Sequence, residues 1–282
     1  MPRKIITNEI KDEIIEFYLS YPMTLKTVSE RFDICIPTVI KILKNTPKYK
    51  KTIIYNPGVN ERYFEIIDSD EKAYFLGLLI ADGNVFIPKK DGRSASISLT
   101  LDMNDSYMLS NFNNALGLNH TIWSDSRGCG QVTIRSNIMA EDLSKFGIIP
   151  NKTLHTYLPN INSMFYSGLI RGILDGDGCI QCHMNVKTNK HYHNISFCGT
   201  HKLMEDISNL LNNALHLKIR PKVYDYKNRN LSEIKIQNIE DIIKVGNWVY
   251  ANAQLFLKRK YDKYCQLLKY YESAHVNTEV TK

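Results

Sequence analysis

Two stretches of the sequence combine a helical spacing of apolar residues with a small residue at every fourth position. They read AYFLGLLIADG at residues 73–83 and SGLIRGILDGDG at residues 167–178. Positions i, i+4 and i+8 lie on one face of an α-helix, so each stretch is predicted to form a helix with one face that lacks large side chains. Such a face lets two backbones approach closely. We therefore expect the two helices to pack together, with Gly77 and Gly172 at their interface.

After each of these helices the apolar residues alternate with polar ones, which is typical of strands with one face in the core. In the first half we predict strands at 84–87, 96–101, 121–123 and 131–135 and helices at 104–116 and 137–146. In the second half a helix at 164–177 precedes strands at 179–186, 191–198, 218–226 and 233–237 and helices at 201–215, 239–249 and 255–272. The matching order predicts an α+β fold in which an αββαββα repeat occurs twice, with pseudo-twofold symmetry and two antiparallel sheets around the central helices.

The N-terminal residues have a separate helical pattern. Amphipathic segments at 8–19, 24–32 and 37–44 predict three short helices, the third opened by Pro37. Thr38 and Lys41 lie on its outer face, which is typical of a helix-turn-helix DNA-binding domain; a purely structural three-helix bundle is the alternative. We assign this domain to residues 1–46, a basic linker to 47–62, and the two repeats to 63–160 and 161–282.

Composition narrows the class of partner. The 282 residues carry a net charge of +7, and 43% of them are hydrophobic, so a packed core and a polyanionic partner are both expected. The sequence contains no apolar run long enough for a membrane span and no secretory pattern at its start, which predicts an intracellular, cytoplasmic protein. The pair Cys179 and Cys182 has zinc-ligand spacing, but we expect both on a strand, where residues three apart face opposite sides.

Each small-residue helix ends in an acid followed by glycine: Asp82-Gly83 and Asp177-Gly178. The glycines predict left-handed helix ends. A carboxylate in the last turn is disfavoured by the helix dipole, and two such carboxylates side by side repel each other. A hard divalent cation such as Mg²⁺ between them would relieve both effects. The alternative is two ordinary buried helices with solvated Asp-Gly ends.

The segments FLGLLIADG (75–83) and IRGILDGDG (170–178) resemble the paired motifs of the LAGLIDADG homing endonucleases in their single-chain form, and the resemblance covers residues 62–272. Ile80 departs from the motif, in which an acid often occupies that place. The resemblance implies a monomeric DNA endonuclease with two or more Mg²⁺ ions, for which Mn²⁺ could substitute. Its metal ligands would be Asp82, Asp177 and the backbone of Ala81 and Gly176.

The same resemblance implies a basic side chain beside each centre. Lys152 and Lys260 occupy comparable places late in each repeat, with Lys258 as the competitor for the second role. Asp105 and His201 would border the water network, or would simply cap helices or face solvent.

Outward positions on the strands are expected to face the major groove of double-stranded DNA. The alternative is the ordinary polar face of any half-exposed sheet. The residues assigned to DNA are Arg93, Ser96, Ser98, Gln131, Thr133, Arg135, Lys187, His191, His193, Arg220, Lys222, Tyr224, Tyr226 and Lys235.

The predicted function is therefore a double-strand break at a long, asymmetric site, because the two halves differ in sequence. Two other functions remain open: a non-cleaving DNA-binding regulator and an intron RNA maturase, both on the same fold. Intein splicing is not expected, because position 1 is methionine and the sequence ends in NTEVTK rather than His-Asn.

Overall fold

The computed structural model describes residues 6–20, 25–44, 58–88, 94–185, 190–227 and 229–279. The backbone contacts divide the chain into a small N-terminal unit and a larger unit that begins at Asn60. Within the described residues, no helix is both long and apolar enough to cross a membrane.

The N-terminal unit contains three helices, α1 (Asn8–Ser20), α2 (Leu25–Phe32) and α3 (Ile36–Leu43). Their apolar faces meet in a core that includes Ile14, Val28 and Val39. Asp33 adopts a positive φ of 52° in the turn before α3. Lys41 is exposed, whereas Thr38 is half-buried and its hydroxyl lies 3.1 Å from the Cys35 Sγ. The predicted cap at Thr24 and most of the predicted linker lie outside the described residues.

The larger unit contains seven helices and seven strands in its described part. The helices are α4 (Asp70–Asp82), α5 (Ser106–Ala115), α6 (Asn137–Ser144), α7 (Tyr166–Asp177), α8 (His201–Leu215), α9 (Ile239–Tyr250) and α10 (Lys258–Glu279). The strands are β1 (Gly83–Phe86), β2 (Ser96–Asp102), β3 (Cys129–Arg135), β4 (Cys179–Asn185), β5 (Lys190–Gly199), β6 (Val223–Asp225) and β7 (Ser232–Ile236). They form two antiparallel sheets, in the orders β1-β2-β3 and β4-β5-β7-β6.

The two small-residue helices, α4 and α7, pack against each other through their glycines. A Cβ atom added to Gly77 would lie 2.3 Å from the carbonyl oxygen of Leu169, and one added to Gly172 would lie 2.1 Å from that of Tyr74. Both distances are far shorter than a van der Waals contact, and the atoms concerned belong to the backbone, which cannot move aside as a side chain can. The helix axes can therefore be this close only because both positions lack a side chain.

The predicted left-handed helix ends are wrong. Gly83 has φ −77° and ψ 151°, and Gly178 has φ −86° and ψ 175°, so both are extended. Each begins or directly precedes a strand, and its N–H still donates to the last turn of the helix. A Cβ on Gly83 would lie 2.4 Å from the Leu79 carbonyl oxygen, and one on Gly178 would lie 2.6 Å from that of Leu174. Lack of space, not a positive φ, requires glycine here.

The strand predicted at 121–123 does not form, so the first sheet has three strands. Only an isolated bridge joins Ser124 to Gly130. The Asn113 side-chain amide of α5 donates to the carbonyl of His120 at 2.7 Å, and the Leu118 N–H donates to the Asn113 carbonyl at 2.8 Å. These bonds hold residues 118–120 against α5. The segment between residue 120 and the bridge at Ser124 is too short to form a fourth paired strand.

The strand predicted at 218–226 is reduced to the three residues of β6. The backbone N–H groups of Lys218 and Ile219 donate to the buried Asp241 carboxylate at 2.8 and 2.9 Å. The Pro221 carbonyl accepts from the Ser208 hydroxyl at 2.6 Å. Polar side chains of α8 and α9 thus form hydrogen bonds with the backbone groups that would pair with a neighbouring strand if β6 were longer. Arg220, predicted to lie on this strand, instead donates to Asn209.

Arg171 of α7 is a fully buried charge that ties the central helices to the segment after α9. Its Nε donates to the Leu255 carbonyl at 2.7 Å, its Nη1 donates to the Val249 carbonyl at 2.6 Å, and its Nη2 bonds the Asp70 carboxylate. Removing one partner of a buried charged network leaves the others without hydrogen bonds, which is costly.

We expect Arg171→Leu to lower the free energy of unfolding by about 3 kcal/mol. Urea unfolding monitored by circular dichroism would measure this loss. The control is Lys202→Met, which removes an exposed cation paired with Asp206 on α8 and should change stability by less than about 1 kcal/mol. Equal losses in the two variants would contradict a structural role for the buried guanidinium.

Candidate active site

The carboxyl ends of α4 and α7 bring Asp82 and Asp177 into one small region. A Cβ added to Gly176, the residue before Asp177, would lie 2.3 Å from the Ala81 Cβ and 3.0 Å from Asp82 Oδ2. The packing of the two glycine faces therefore continues to the helix ends. It places two acids side by side at two negative helix termini, where both are electrostatically disfavoured.

The protein environment raises the pKa of both acids. Burial, and after it the charge of Asp177, raises the pKa of Asp82 to about 6 against the opposing charges of Lys260 and Lys152. Burial also raises the pKa of Asp177, against the opposing charges of the same two lysines. Both side chains still reach solvent. The two carboxylates are therefore accessible to solvent, and the nearby lysines only partly offset the unfavourable energy of their negative charges.

Lys152 and Lys260 lie buried at the ends of the two central helices. The Lys152 ammonium donates to the carbonyls of Ile80 and Ala81 at 2.6 and 3.1 Å. Burial lowers its pKa. A cation at a helix carboxyl end is favoured by the dipole, so this ammonium stabilises the end of α4 while it lies near both acids.

Lys260 makes the corresponding contacts at the carboxyl end of α7, with more carbonyl groups than Lys152 contacts at α4. Its ammonium nitrogen lies within hydrogen-bond distance of four carbonyl oxygens, those of Leu174, Asp175, Gly176 and Gly178, at 2.6 to 3.2 Å, and its three N–H groups are shared among them. Burial lowers its pKa to about 8. The competing Lys258 is exposed and pairs with Asp262 at 2.6 Å, so Lys260 is the lysine that lies at the helix end. The carbonyls of Ala81 and Gly176 thus already accept from lysine, and each oxygen keeps a second lone pair.

A magnesium ion fits the chemistry of these residues. Among the described residues, no cluster of three or more His, Cys, Asp or Glu side chains is placed to hold a metal ion. Mg²⁺ is commonly bound by one or two carboxylates and completes its shell with water and substrate phosphates. The disfavoured pair of carboxylates matches that donor set. Zinc at Cys179 and Cys182 is not supported, because these residues lie on opposite faces of β4, with Cys179 opposite Ser196 and Cys182 opposite His193 on β5.

The raised pKa of Asp82 predicts a pH-dependent stability of the metal-free protein. A folded-state pKa above the unfolded value means that protonation favours folding, so this stabilisation is complete below about pH 4 and is lost as the pH rises through about 6. We expect Asp82→Asn to be more stable than the wild type by about 1 kcal/mol at pH 7.5 and no more stable at pH 4, after allowance for solvent screening. Urea unfolding in EDTA at both pH values measures the difference; a difference that does not change with pH would contradict it.

Asp175 is a buried residue of the site region that the sequence analysis did not single out. Its Oδ2 accepts from the Tyr74 hydroxyl at 2.8 Å and from the Leu257 N–H at 2.7 Å, and its Oδ1 has no partner within the described part of the chain. Burial raises its pKa to about 6. The bond to Leu257 positions the start of α10, and therefore Lys260. Asp175 lies within the second motif, but its role becomes evident only from its hydrogen-bond partners in the structure.

Asp105 and His201 have protein partners. The buried Asp105 carboxylate accepts from Arg259 Nε at 2.8 Å, which ties the start of α5 to α10. The exposed His201 lies at the start of α8 with its Nδ1 2.8 Å from Asp225 Oδ1, and this contact raises the pKa of His201.

The face of the first sheet that points away from the helices, here called its open face, collects the polar positions predicted there. Ile97, Leu99, Val132 and Ile134 point into the core. Strand register then places the alternate residues together on the open face. They are Asn84, Phe86, Ser96, Ser98, Thr100, Gln131, Thr133 and Arg135. Arg93 lies outside the described residues.

On the second sheet, two of the histidines that were assigned to DNA lie on the helix side of β5. Ile195 and Phe197 of β5 are fully buried against the helices. Alternate residues of a strand lie on the same face, so His191 and His193 also face the helices. His191 stacks on Tyr270 of α10 at 4.0 Å between ring centroids, and His193 lies near the same ring. The register of this strand, not its composition, decides which side chains are outward.

The open face of the second sheet carries a different set. Register places Lys235 and Tyr224 there, together with residues that the sequence analysis missed: Gln181, His183, Tyr192 and Asn194. The alternation of apolar Ile195 and Phe197 with polar residues is the sequence signal that could have shown which side chains of this strand face outward. Lys222 and Tyr226 are exposed beside β6, and the Tyr226 hydroxyl bonds Glu233. Lys187 lies outside the described residues.

No protein-family model matches the chain. Over 120 residues it is 30% identical to the DNA-directed RNA polymerase subunit Rpo1C of Methanocaldococcus jannaschii. This match covers 40% of the chain and spans only 13% of the length of that curated relative, so the activity of the subunit is not transferred to this protein.

Solved structures resemble the chain over most of its length. The meganuclease I-SmaMI bound to uncleavable DNA matches with a TM-score of 0.54 at 13% identity, over 73% of this chain and 92% of that one. The I-LtrWI LAGLIDADG homing endonuclease bound to target DNA matches with a TM-score of 0.50 at 12% identity, over 77% and 92%. The chain therefore has the fold of the LAGLIDADG homing endonucleases, in the form that carries both central helices in one polypeptide.

Proposed function

We propose that this protein is a sequence-specific DNA endonuclease that acts as a monomer and breaks both strands of a long, asymmetric target. The observation that carries the proposal is the pair of solvent-reaching acids, Asp82 and Asp177, held side by side at the ends of α4 and α7. Binding of DNA alone would not require two acids in positions that the helix dipoles and mutual repulsion disfavour. Structures with the same fold have been solved with cleaved DNA and with target DNA.

In this proposal Asp82 and Asp177 hold two or more Mg²⁺ ions, with the carbonyls of Ala81 and Gly176 as further ligands; Mn²⁺ would substitute. The ions would supply an activated water and neutralise charge on the phosphate. Lys152 and Lys260 hold the two helix ends in place and add positive charge beside the scissile phosphates. Their lowered pKa values reflect burial.

The open faces of the two sheets would bind the major groove, with Gln131, Thr133, Arg135 and Lys235 among the groups that contact DNA. In the N-terminal unit, Thr38 and Lys41 of α3 would add contacts if this unit acts as a helix-turn-helix domain. Exposed Lys41 is suited to a phosphate.

A randomised duplex library tests the function without knowledge of the target. The intact chain is incubated with the library and Mg²⁺, and cut ends are sequenced. We expect a recurrent asymmetric site, cut on both strands, and no cutting with EDTA. Tight sequence-specific binding with no cutting under any divalent ion would instead identify a DNA-binding regulator. Cleavage that persists in EDTA would contradict the assigned metal dependence.

A further inference from the structure

We propose that Trp123 and the cavity beside it form an additional contact with duplex DNA, at the edge of the first sheet next to β3. The inference rests on the proposed function, because it extends the surface that would bind the target. Trp123 is 78% exposed, the largest exposed fraction among the large apolar side chains of the described residues. A partner that covers this indole would gain affinity, because removing apolar surface from water is favourable.

The loop that carries Trp123 is held by a dense set of hydrogen bonds. The Asp125 carboxylate accepts from the N–H groups of Arg127 and Cys129 at 2.8 and 3.0 Å, and from the Arg127 guanidinium at 2.8 and 2.7 Å. The Asp125 N–H donates to the Cys129 carbonyl, and Gly128 takes the positive φ of 78° that the turn needs. The bridge between Ser124 and Gly130 joins the loop to β3. The indole is therefore presented by an ordered loop.

Local packing shows which residues the indole adjoins. Gly130 lies on the helix side, and a Cβ added to it would meet Ile122 Cγ2 at 2.8 Å, so Ile122 points toward the helices. The exposed Trp123 side chain adjoins residues of the open face. It lines a cavity of about 330 Å³ together with Thr100, Thr121, Arg127 and Gln131. Thr100 and Gln131 belong to the open face, so the cavity continues the surface assigned to DNA.

The chemistry of this edge is apolar and hydrogen-bonding, with little net charge. Arg127 and Asp125 neutralise each other, and Gln131 Nε2 donates to the Thr100 hydroxyl at 2.9 Å. A duplex offers matching groups: deoxyribose and thymine methyl surface for the indole, and base edges for the amide and hydroxyls. The contact should therefore add affinity without adding to the number of neutralised phosphates.

The chain has two tryptophans, so fluorescence can test this contact directly. Trp248→Phe leaves Trp123 as the only tryptophan. This variant is titrated in EDTA with a 40-bp duplex recovered from the bound fraction of the randomised library. We expect a saturable change in Trp123 emission with the duplex. An unchanged emission at saturation of binding would overturn the inference, as would a response to the single strand but not to the duplex.

Affinity provides the second readout. We expect Trp123→Ala to weaken duplex binding about tenfold, as loss of a buried apolar side chain implies, with an unchanged slope of log affinity against log salt. Trp123→Phe should recover part of the loss. Lys235→Gln should reduce that slope, and Ile66→Ala, which trims a side chain 64% exposed before the start of α4, should change nothing. Circular dichroism confirms folding of each variant.

The outcomes separate the two claims. Wild-type affinity in Trp123→Ala, or a loss that appears only as a reduced salt slope, would overturn the Trp123 contact and leave the endonuclease proposal intact. If the wild-type chain binds no duplex from the library, both proposals fail.

Discussion

Asp82→Asn and Asp177→Asn are each expected to remove double-strand cutting while leaving DNA binding largely in place. Each substitution keeps the size of the side chain and removes one of the two charges that would hold Mg²⁺. Losing several kcal/mol of stabilisation in the transition state lowers the rate of cleavage by a factor of about 10³ or more. Because the open faces of the sheets do not depend on these side chains, affinity for the target measured in EDTA should change less than about threefold.

Cleavage of the site recovered from the randomised library measures the effect, with nicked and linear products counted separately. Asp262→Asn, an exposed carboxylate of α10 that pairs with Lys258, is the matched control and should cut at the wild-type rate. Cutting at full rate by both Asp82→Asn and Asp177→Asn would refute the assignment of the active site. A loss of binding equal to the loss of cutting would show that the acids act on DNA affinity instead.

Gly77→Ala and Gly172→Ala are expected to destabilise the larger unit strongly, by about 4 kcal/mol or more each. Alanine normally favours a helix over glycine by about 1 kcal/mol, so the expected sign is opposite to intrinsic preference. The reason is steric: the new methyl groups would lie 2.3 and 2.1 Å from the carbonyl oxygens of Leu169 and Tyr74. Relief requires the two helices to separate, which also displaces Asp82 relative to Asp177.

Thermal and urea unfolding of the purified variants measure the loss of stability. The control is Asn114→Ala at an exposed position of α5, where the added helix preference meets no neighbour and stability should stay within about 0.5 kcal/mol of the wild type. Wild-type stability in Gly77→Ala and Gly172→Ala would mean that α4 and α7 are not in backbone contact. That result would also remove the basis for placing the two acids together.

Much of the secondary structure could be predicted from local patterns. The helix predicted at 201–215 has those bounds as α8, and α9 differs by one residue. Such agreement is expected where a strong apolar period and a cap coincide, as at Thr200, whose hydroxyl accepts from the Leu203 N–H. The strand predicted at 121–123 did not form and the one predicted at 218–226 formed only in part. In both places side chains of nearby helices bind the backbone of the segment or of the residues beside it. Ser208 and Asp241 lie 13 and 23 residues from the backbone groups they bind, and Asn113 lies 7 residues from His120. The alternation of apolar and polar residues reveals none of these bonds.

The candidate site shows the same division. The sequence by itself determined that two helices carry faces of small residues, that each ends in an acid, and that the chain contains lysines late in each half. Tertiary structure alone decided that the ammonium groups of Lys152 and Lys260 lie on the helix-end carbonyls, that Asp175 is buried, and that His191 and His193 face the helices. Periodicity along a chain reports how side chains alternate, because backbone geometry is local. Which of two faces is covered, and which distant donor meets a given carbonyl, depends on how separate elements pack, and that information is absent from any single segment.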